Sequence, residues 1–154
     1  DKLQIDNVES VAEHTYSTAI MSMIYSDLHE FDTEKIIKMA LLHDLSESIT
    51  GDLTPDKISK KSKRQKENLA MKQILSNLPN KISKSYYKIW DDYQRASSEE
   101  AKLVHEIDKL EMVFQAKYYY DKGHSKEKLR SFFQTASTEI KSKYLREILS
   151  KFLE

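Results

Sequence analysis

Apolar residues recur at spacings of three and four along most of the chain, the period of a helix with one buried face. The first such run, Val8 to Leu28, predicts a helix with Val11, Ala12, Tyr16, Ala19, Ile20, Met23 and Leu28 facing inward and Asn7 as its N-cap. Asp32 or Thr33 opens a second helix, with Glu34 in its first turn. Ile36, Ile37, Ala40, Leu41 and Leu45 make this helix apolar almost all round, so it is expected to be the most buried, stopping in the Ser46–Pro55 stretch. A basic polar segment, Lys57 to Lys66, precedes a third helix over Gln65–Leu78, ended by Pro79. A fourth covers Lys81–Arg95 and carries Ile82, Tyr86, Ile89, Trp90 and Tyr93. Ser97 or Ser98 caps a long fifth helix, lined by Leu103, Val104, Ile107, Leu110, Val113, Phe114 and Tyr118 and closed by Gly123. A last helical region, Lys126–Leu153, is interrupted or continuous. The pattern predicts an all-α bundle of about six helices, folded as one domain over residues 1–154.

Composition sharpens this picture. Glycine and proline number 2 each in 154 residues, where average usage supplies about 18 in all. That shortage excludes sandwiches, barrels and turn-rich folds. Half of these breakers, Gly51 and Pro55, fall together in Gly51-Asp52-Leu53-Thr54-Pro55, which marks this loop as the place where the backbone leaves helical regularity. Lys+Arg and Asp+Glu are both 25, so no charge excess points to polymeric nucleic acid or to a membrane surface. Cysteine is absent. Thiolate chemistry is therefore excluded, and any metal falls to histidine, carboxylate or water. No apolar run approaches the roughly 20 residues of a membrane span, and a cytoplasmic protein is expected. The first residue is Asp1, read here as the start of a piece of a longer chain.

The chemistry-bearing residues are few. His14 lies in the first helix, His43-Asp44 in the second and Asp108 in the fifth. Imidazole and carboxylate together suit Mn, Co, Fe, Zn or Mg, and groups on separate helices can converge inside a bundle. His43 and Asp44 stand about 100° apart on a helix. Glu47, at i+4 and i+3 from them, falls one turn on along the same face, where a general acid or base belongs. A single buried histidine is more often a hydrogen-bonded structural residue than a ligand. Polarity inside the most apolar helix changes that balance, because burying a carboxylate unpartnered costs several kcal/mol. A cation is the simplest partner, and a Lys or Arg pair is the competing one.

The order His, His-Asp, Asp on successive helices resembles the HD-domain metal-dependent phosphohydrolases. The strings Glu9-Ser10-Val11-Ala12-Glu13-His14, His43-Asp44-Leu45-Ser46-Glu47, Gly51-Asp52-Leu53-Thr54-Pro55 and Ile107-Asp108-Lys109-Leu110-Glu111-Met112 are similar to the 5′-deoxynucleotidase branch. So is Lys63-Arg64-Gln65-Lys66-Glu67-Asn68-Leu69-Ala70-Met71, and the likeness runs from about Glu9 to Lys117. The resemblance implies one divalent ion held by His14, His43, Asp44 and Asp108, with Glu47 as catalytic carboxylate and Asp52 near the nucleotide and the attacking water. It implies hydrolysis of (deoxy)nucleoside 5′-monophosphates to nucleoside and phosphate, with a water on the ion as nucleophile, in a homodimer. Lys57 is a candidate phosphate partner, set against a solvated lysine in a basic run. Asp92, in Trp90-Asp91-Asp92-Tyr93, is a candidate sugar contact, with Trp90 and Tyr93 read first as core aromatics. The Arg and Trp that this branch carries upstream of its first histidine motif are not among residues 1–8, no arginine preceding Arg64: either they lie before Asp1 or the substrate site differs.

His29, His105 and His124 are expected not to be ligands: His29 ends a helix, His105 is a surface or supporting residue, and His124 lies in a link. Within Tyr118-Tyr119-Tyr120 part of the run is expected on a dimer surface. Two alternatives stay open. One is an HD hydrolase acting on another phosphoester such as (p)ppGpp, against which stands Ser48 where those enzymes carry an Asp. The other is a non-catalytic, metal-stabilised nucleotide-binding module, which would need neither Glu47 nor Asp52.

Overall fold

The computed structural model describes residues 8–51, 53 and 58–152. Eight helices appear among them: α1 (Val11–Leu28), α2 (Thr33–Leu42), α3 (Glu47–Thr50), α4 (Lys60–Leu75), α5 (Asn80–Arg95), α6 (Glu99–Asp121), α7 (Lys126–Glu139) and α8 (Lys143–Ser150). The described residues contain no strand, so the all-α expectation holds. The last helical region is two helices, broken where Ile140 takes an extended conformation.

Helix starts follow side-chain caps. Ser10 caps α1: its hydroxyl accepts from the Glu13 amide, and the Glu13 carboxylate accepts from the Ser10 amide. This reciprocal capping box takes the place expected for Asn7, which lies outside the described residues. Asp32, Ser59, Ser98 and Ser125 cap α2, α4, α6 and α7. The basic stretch expected to precede the third helix instead forms the first turns of α4, since Ser59 offers a cap before it.

The long α6 is the central element. Ten of its residues are buried, among them Leu103, Val104, Ile107, Leu110, Val113 and Ala116. Around it pack Ile36, Met39 and Ala40 of α2, Tyr93 of α5, and Leu145 and Leu149 of α8. A second cluster joins Leu42 to Met71, Leu75 and Trp90, so Trp90 and Tyr93 are core aromatics. α2 buries Ile36, Met39, Ala40 and Leu42, as its apolar sequence leads one to expect, but leaves Leu41 exposed.

The inward face of α1 also differs from the expectation. Thr18, Ala19, Ser22 and Ser26 are buried, whereas Val11, Tyr16, Ile20 and Leu28 are exposed. Small side chains let α1 lie close to α2 and α6, and a hydrophobicity pattern weights size and polarity in the opposite sense. Tyr16, Ile20, Ile24 and Leu28 form an outer stripe at i, i+4 spacing.

Asp92 holds the α5–α6 corner. It accepts from the Ser98 amide at 3.0 Å and from the Ser97 and Ser98 hydroxyls at 2.9 and 2.8 Å, while Lys35 of α2 stands 2.9 Å from it. Burial alone would raise the Asp92 carboxyl, but Lys35, Ser98 and Ser97 bring it below the ordinary carboxylate value. A depressed folded-state value gives stability above the unfolded pKa of about 3.9 and loses it as pH falls through the folded value. Asp92→Asn is therefore expected to cost about 1–2 kcal/mol at neutral pH. In urea titrations that penalty should shrink as the pH is lowered from about 5 towards 2, and a penalty unchanged over this range would contradict the assignment.

Candidate metal centre

The sequence places His43 and Asp44 inside the second helix, but α2 ends at Leu42 and residues 43–46 form a turn. Its amides bond three residues back: Leu45 to Leu42 at 3.2 Å and Glu47 to Asp44 at 2.9 Å. This tighter winding turns both His43 and Asp44 towards α1 and α6. The four-residue α3 runs from Glu47 to Thr50 and is closed by Gly51, whose φ of 66° suits glycine.

His14, His43 and Asp108, from α1, the α2 end and α6, present ligand atoms all within 4.8 Å of one another. His14 Nε2 lies 3.1 Å from Asp108 Oδ1 and 3.8 Å from Asp44 Oδ2. Asp44 Oδ2 is 3.2 Å from His43 Nε2. Asp44 thus stands beside the trio, against both imidazoles, without joining the set whose ligand atoms all lie within 4.8 Å of one another.

Both imidazoles are oriented through Nδ1. That of His43 lies 2.6 Å from the Ala40 carbonyl, which only accepts, so Nδ1 carries the proton and Nε2 keeps its lone pair. His43 Nε2 is buried and, despite the nearby Asp44 oxygen, has no hydrogen-bond partner. An orphaned buried nitrogen aimed among carboxylates is a fit for a cation rather than for packing alone. The Nδ1 of His14 lies 2.6 Å from Glu111 Oε2.

The field of the site favours positive charge. Burial opposes protonation of His14, yet Asp108 and Glu111 push it up to about 10. His43 is raised too, with Asp44 and Asp108 outweighing its burial. Burial would raise Asp108, but His14, Lys109 and His43 hold it well below the usual carboxylate range. Lys109 Nζ donates to Asp108 Oδ2 at 2.9 Å, and the Tyr93 hydroxyl reaches the same oxygen at 3.5 Å. Glu9, which brings a carboxylate oxygen within 4.8 Å of ligand atoms of both His14 and Glu111, is pushed up to about 7 by burial and by the Glu111 charge.

Glu47 stands one turn beyond Asp44, with Lys63 Nζ of α4 at 3.6 Å and Glu67 at 3.4 Å from the same ammonium. Asp52 and Lys57 lie outside the described residues. Asp92 is not drawn to the cluster, its oxygens being engaged at the α5–α6 corner. His105, read as surface or support, is half-buried: it stacks on Tyr93 at 3.9 Å and its Nε2 bonds the Tyr93 carbonyl at 2.8 Å. Sequence reasoning gave no role to Tyr93, Lys63, Lys109 or Glu111. For Glu111 a signal existed, since it is i+3 from Asp108 and the two share one face of α6.

Residues 2–149 match the sequence pattern of the HD domain family. The chain belongs to the HD domain family. Among HD-domain relatives, 5′-deoxynucleotidase HDDC2 of Mus musculus is 35% identical over 148 residues, covering 96% of this chain and 74% of the relative. The protein of that name from Dictyostelium discoideum is 43% identical over 138 residues, 82% of this chain and 73% of the relative. A similar solved structure is that of the PH0347 protein from Pyrococcus horikoshii OT3, with a TM-score of 0.81 and 30% identity over 98% of this chain and 86% of the other.

Proposed function

We propose that this chain is a metal-dependent phosphomonoesterase that hydrolyses (deoxy)nucleoside 5′-monophosphates to nucleoside and phosphate. The observation that carries the reading is the gathering of His14, His43 and Asp108 within 4.8 Å, with Asp44 Oδ2 3.2 Å from a buried His43 Nε2 that has no hydrogen bond. The 5′-deoxynucleotidases among the relatives support the substrate class. His14, His43, Asp44 and Asp108 are the ligands of one divalent ion. Their mixture of imidazole and carboxylate accepts Mn, Co, Fe, Zn or Mg, with supply deciding among them. When bound, such an ion supplies positive charge to the phosphoryl group and acidifies the attacking water.

The protein's own groups do the rest. Glu47 moves the proton between the attacking water and the leaving oxygen, from a position one turn beyond Asp44. Lys63, between Glu47 and Glu67, keeps the Glu47 carboxylate in place and adds positive charge to the wall of the site. Asp52 serves at the nucleotide. Asp108 is held by Lys109 and Tyr93 through one oxygen, leaving Oδ1 facing the histidines.

A homodimer is part of the same reading. The exposed stripe Tyr16, Ile20, Ile24 and Leu28 on α1 supports it, because monomers seldom leave such a row uncovered. In light scattering the wild type should run at twice the 18.1 kDa chain mass and Ile24→Glu as a monomer. A monomeric wild type would count against the dimer.

Phosphate release from deoxynucleoside and ribonucleoside 5′-monophosphates tests the activity, with Mn²⁺ or Co²⁺ and with EDTA. Release is expected to require the ion and to stop with EDTA. Glu47→Gln should lower kcat by about 10²–10⁴-fold with divalent-ion affinity unchanged. Near-full activity in Glu47→Gln would remove its role. No release from any monophosphate, with the ion shown to bind, would favour the binding-module alternative.

A further inference from the structure

We propose that Glu111 is a positioning residue of the metal centre, accepting the Nδ1 proton of His14 and so aiming Nε2 at the ion. This rests on the reading that His14 is a ligand.

The two histidines solve the same orientation problem differently. His43 finds its acceptor just behind it in the chain, the Ala40 carbonyl in the last turn of α2. The ring acceptor for His14 comes from another element, and α6 supplies it. Glu111 Oε2 stands 2.6 Å from Nδ1 while Asp108, one turn earlier on the same helix, faces Nε2 at 3.1 Å. One face of α6 therefore grips both nitrogens of one imidazole.

Glu111 is only 3% exposed, and its ion pair among the described residues is with His14. A buried carboxylate held against imidazole is a stronger acceptor than a peptide carbonyl. It fixes the tautomer and makes the opposite nitrogen a better donor to a cation. Losing such a partner typically lowers metal affinity about 10–100-fold.

The test is Co²⁺ affinity by chelator competition on the full chain, with the melting temperature read beside it. Glu111→Leu is expected to weaken Co²⁺ binding about 10–100-fold. Glu111→Gln, which keeps an acceptor oxygen at the same length, should stay within about fivefold of wild type, an estimate that follows from the retained hydrogen bond. Unchanged affinity in Glu111→Leu, or an equal loss in Glu111→Gln, would overturn the proposal. A merely structural role would lower the melting temperature and leave the affinity of the folded protein alone. Should Glu111→Leu fail to fold, ¹⁵N spectra of the Zn²⁺-loaded wild type decide. His14 with Nδ1 protonated and Nε2 coordinated supports the proposal, and coordination through Nδ1 overturns it. His14→Ala separates the two levels. If it binds Co²⁺ as tightly as wild type, the ligand reading itself fails. If it loses Co²⁺ while Glu111→Leu does not, only the role of Glu111 falls.

Discussion

The structure turns on acidic groups held inside a helical core. Asp108 and Glu111 are buried on the long central helix α6, and Asp44 and Glu9 stand close by. Carboxylates in such surroundings cost several kcal/mol each unless positive charge faces them. Lys109 answers part of that demand in the protein itself, and the field that favours positive charge at both imidazoles is answered either by protons on them or by a cation held on their Nε2 lone pairs. Charge balance and affinity for an ion are two consequences of one arrangement.

The helices serve this arrangement in separate ways. α6 brings Asp108 and Glu111 on one face, and α1 lays His14 across them. The break after Leu42 lets adjacent His43 and Asp44 reach a common point, which a continued helix would hold about 100° apart. α5 contributes Tyr93, wedged between His43 and His105 and reaching Asp108 through its hydroxyl. α4 brings Lys63 across to Glu47. Packing that looks remote from the chemistry thus sets the angle of each donor.

What the sequence showed and what it hid have physical causes. Helices α5 and α6 were legible almost to the residue, because Pro79, Ser98 and the glutamates after it are strong local signals. The approach of His14, His43 and Asp108 to one another was legible because polar groups stood out in apolar surroundings. The buried face of α1 was not. Its contacts use Thr18, Ala19, Ser22 and Ser26, small residues that a hydrophobic period passes over, while the larger apolar groups point outward. The end of α2 was hidden too, since Leu45 continues the apolar period past a turn that is nearly helical. Asp92 read as a substrate contact from its neighbours Trp90 and Tyr93. Its partners Ser97, Ser98 and Lys35 appear only when α5, α6 and α2 are packed together.

The central claim is that one divalent ion sits between α1, the α2 end and α6. The most direct measurement is an anomalous difference map from crystals of the Mn²⁺-loaded protein. The account predicts one strong peak in contact with Nε2 of both His14 and His43 and with the carboxylates of Asp44 and Asp108. A map with no peak there, or with its main peak away from these four residues, would contradict it.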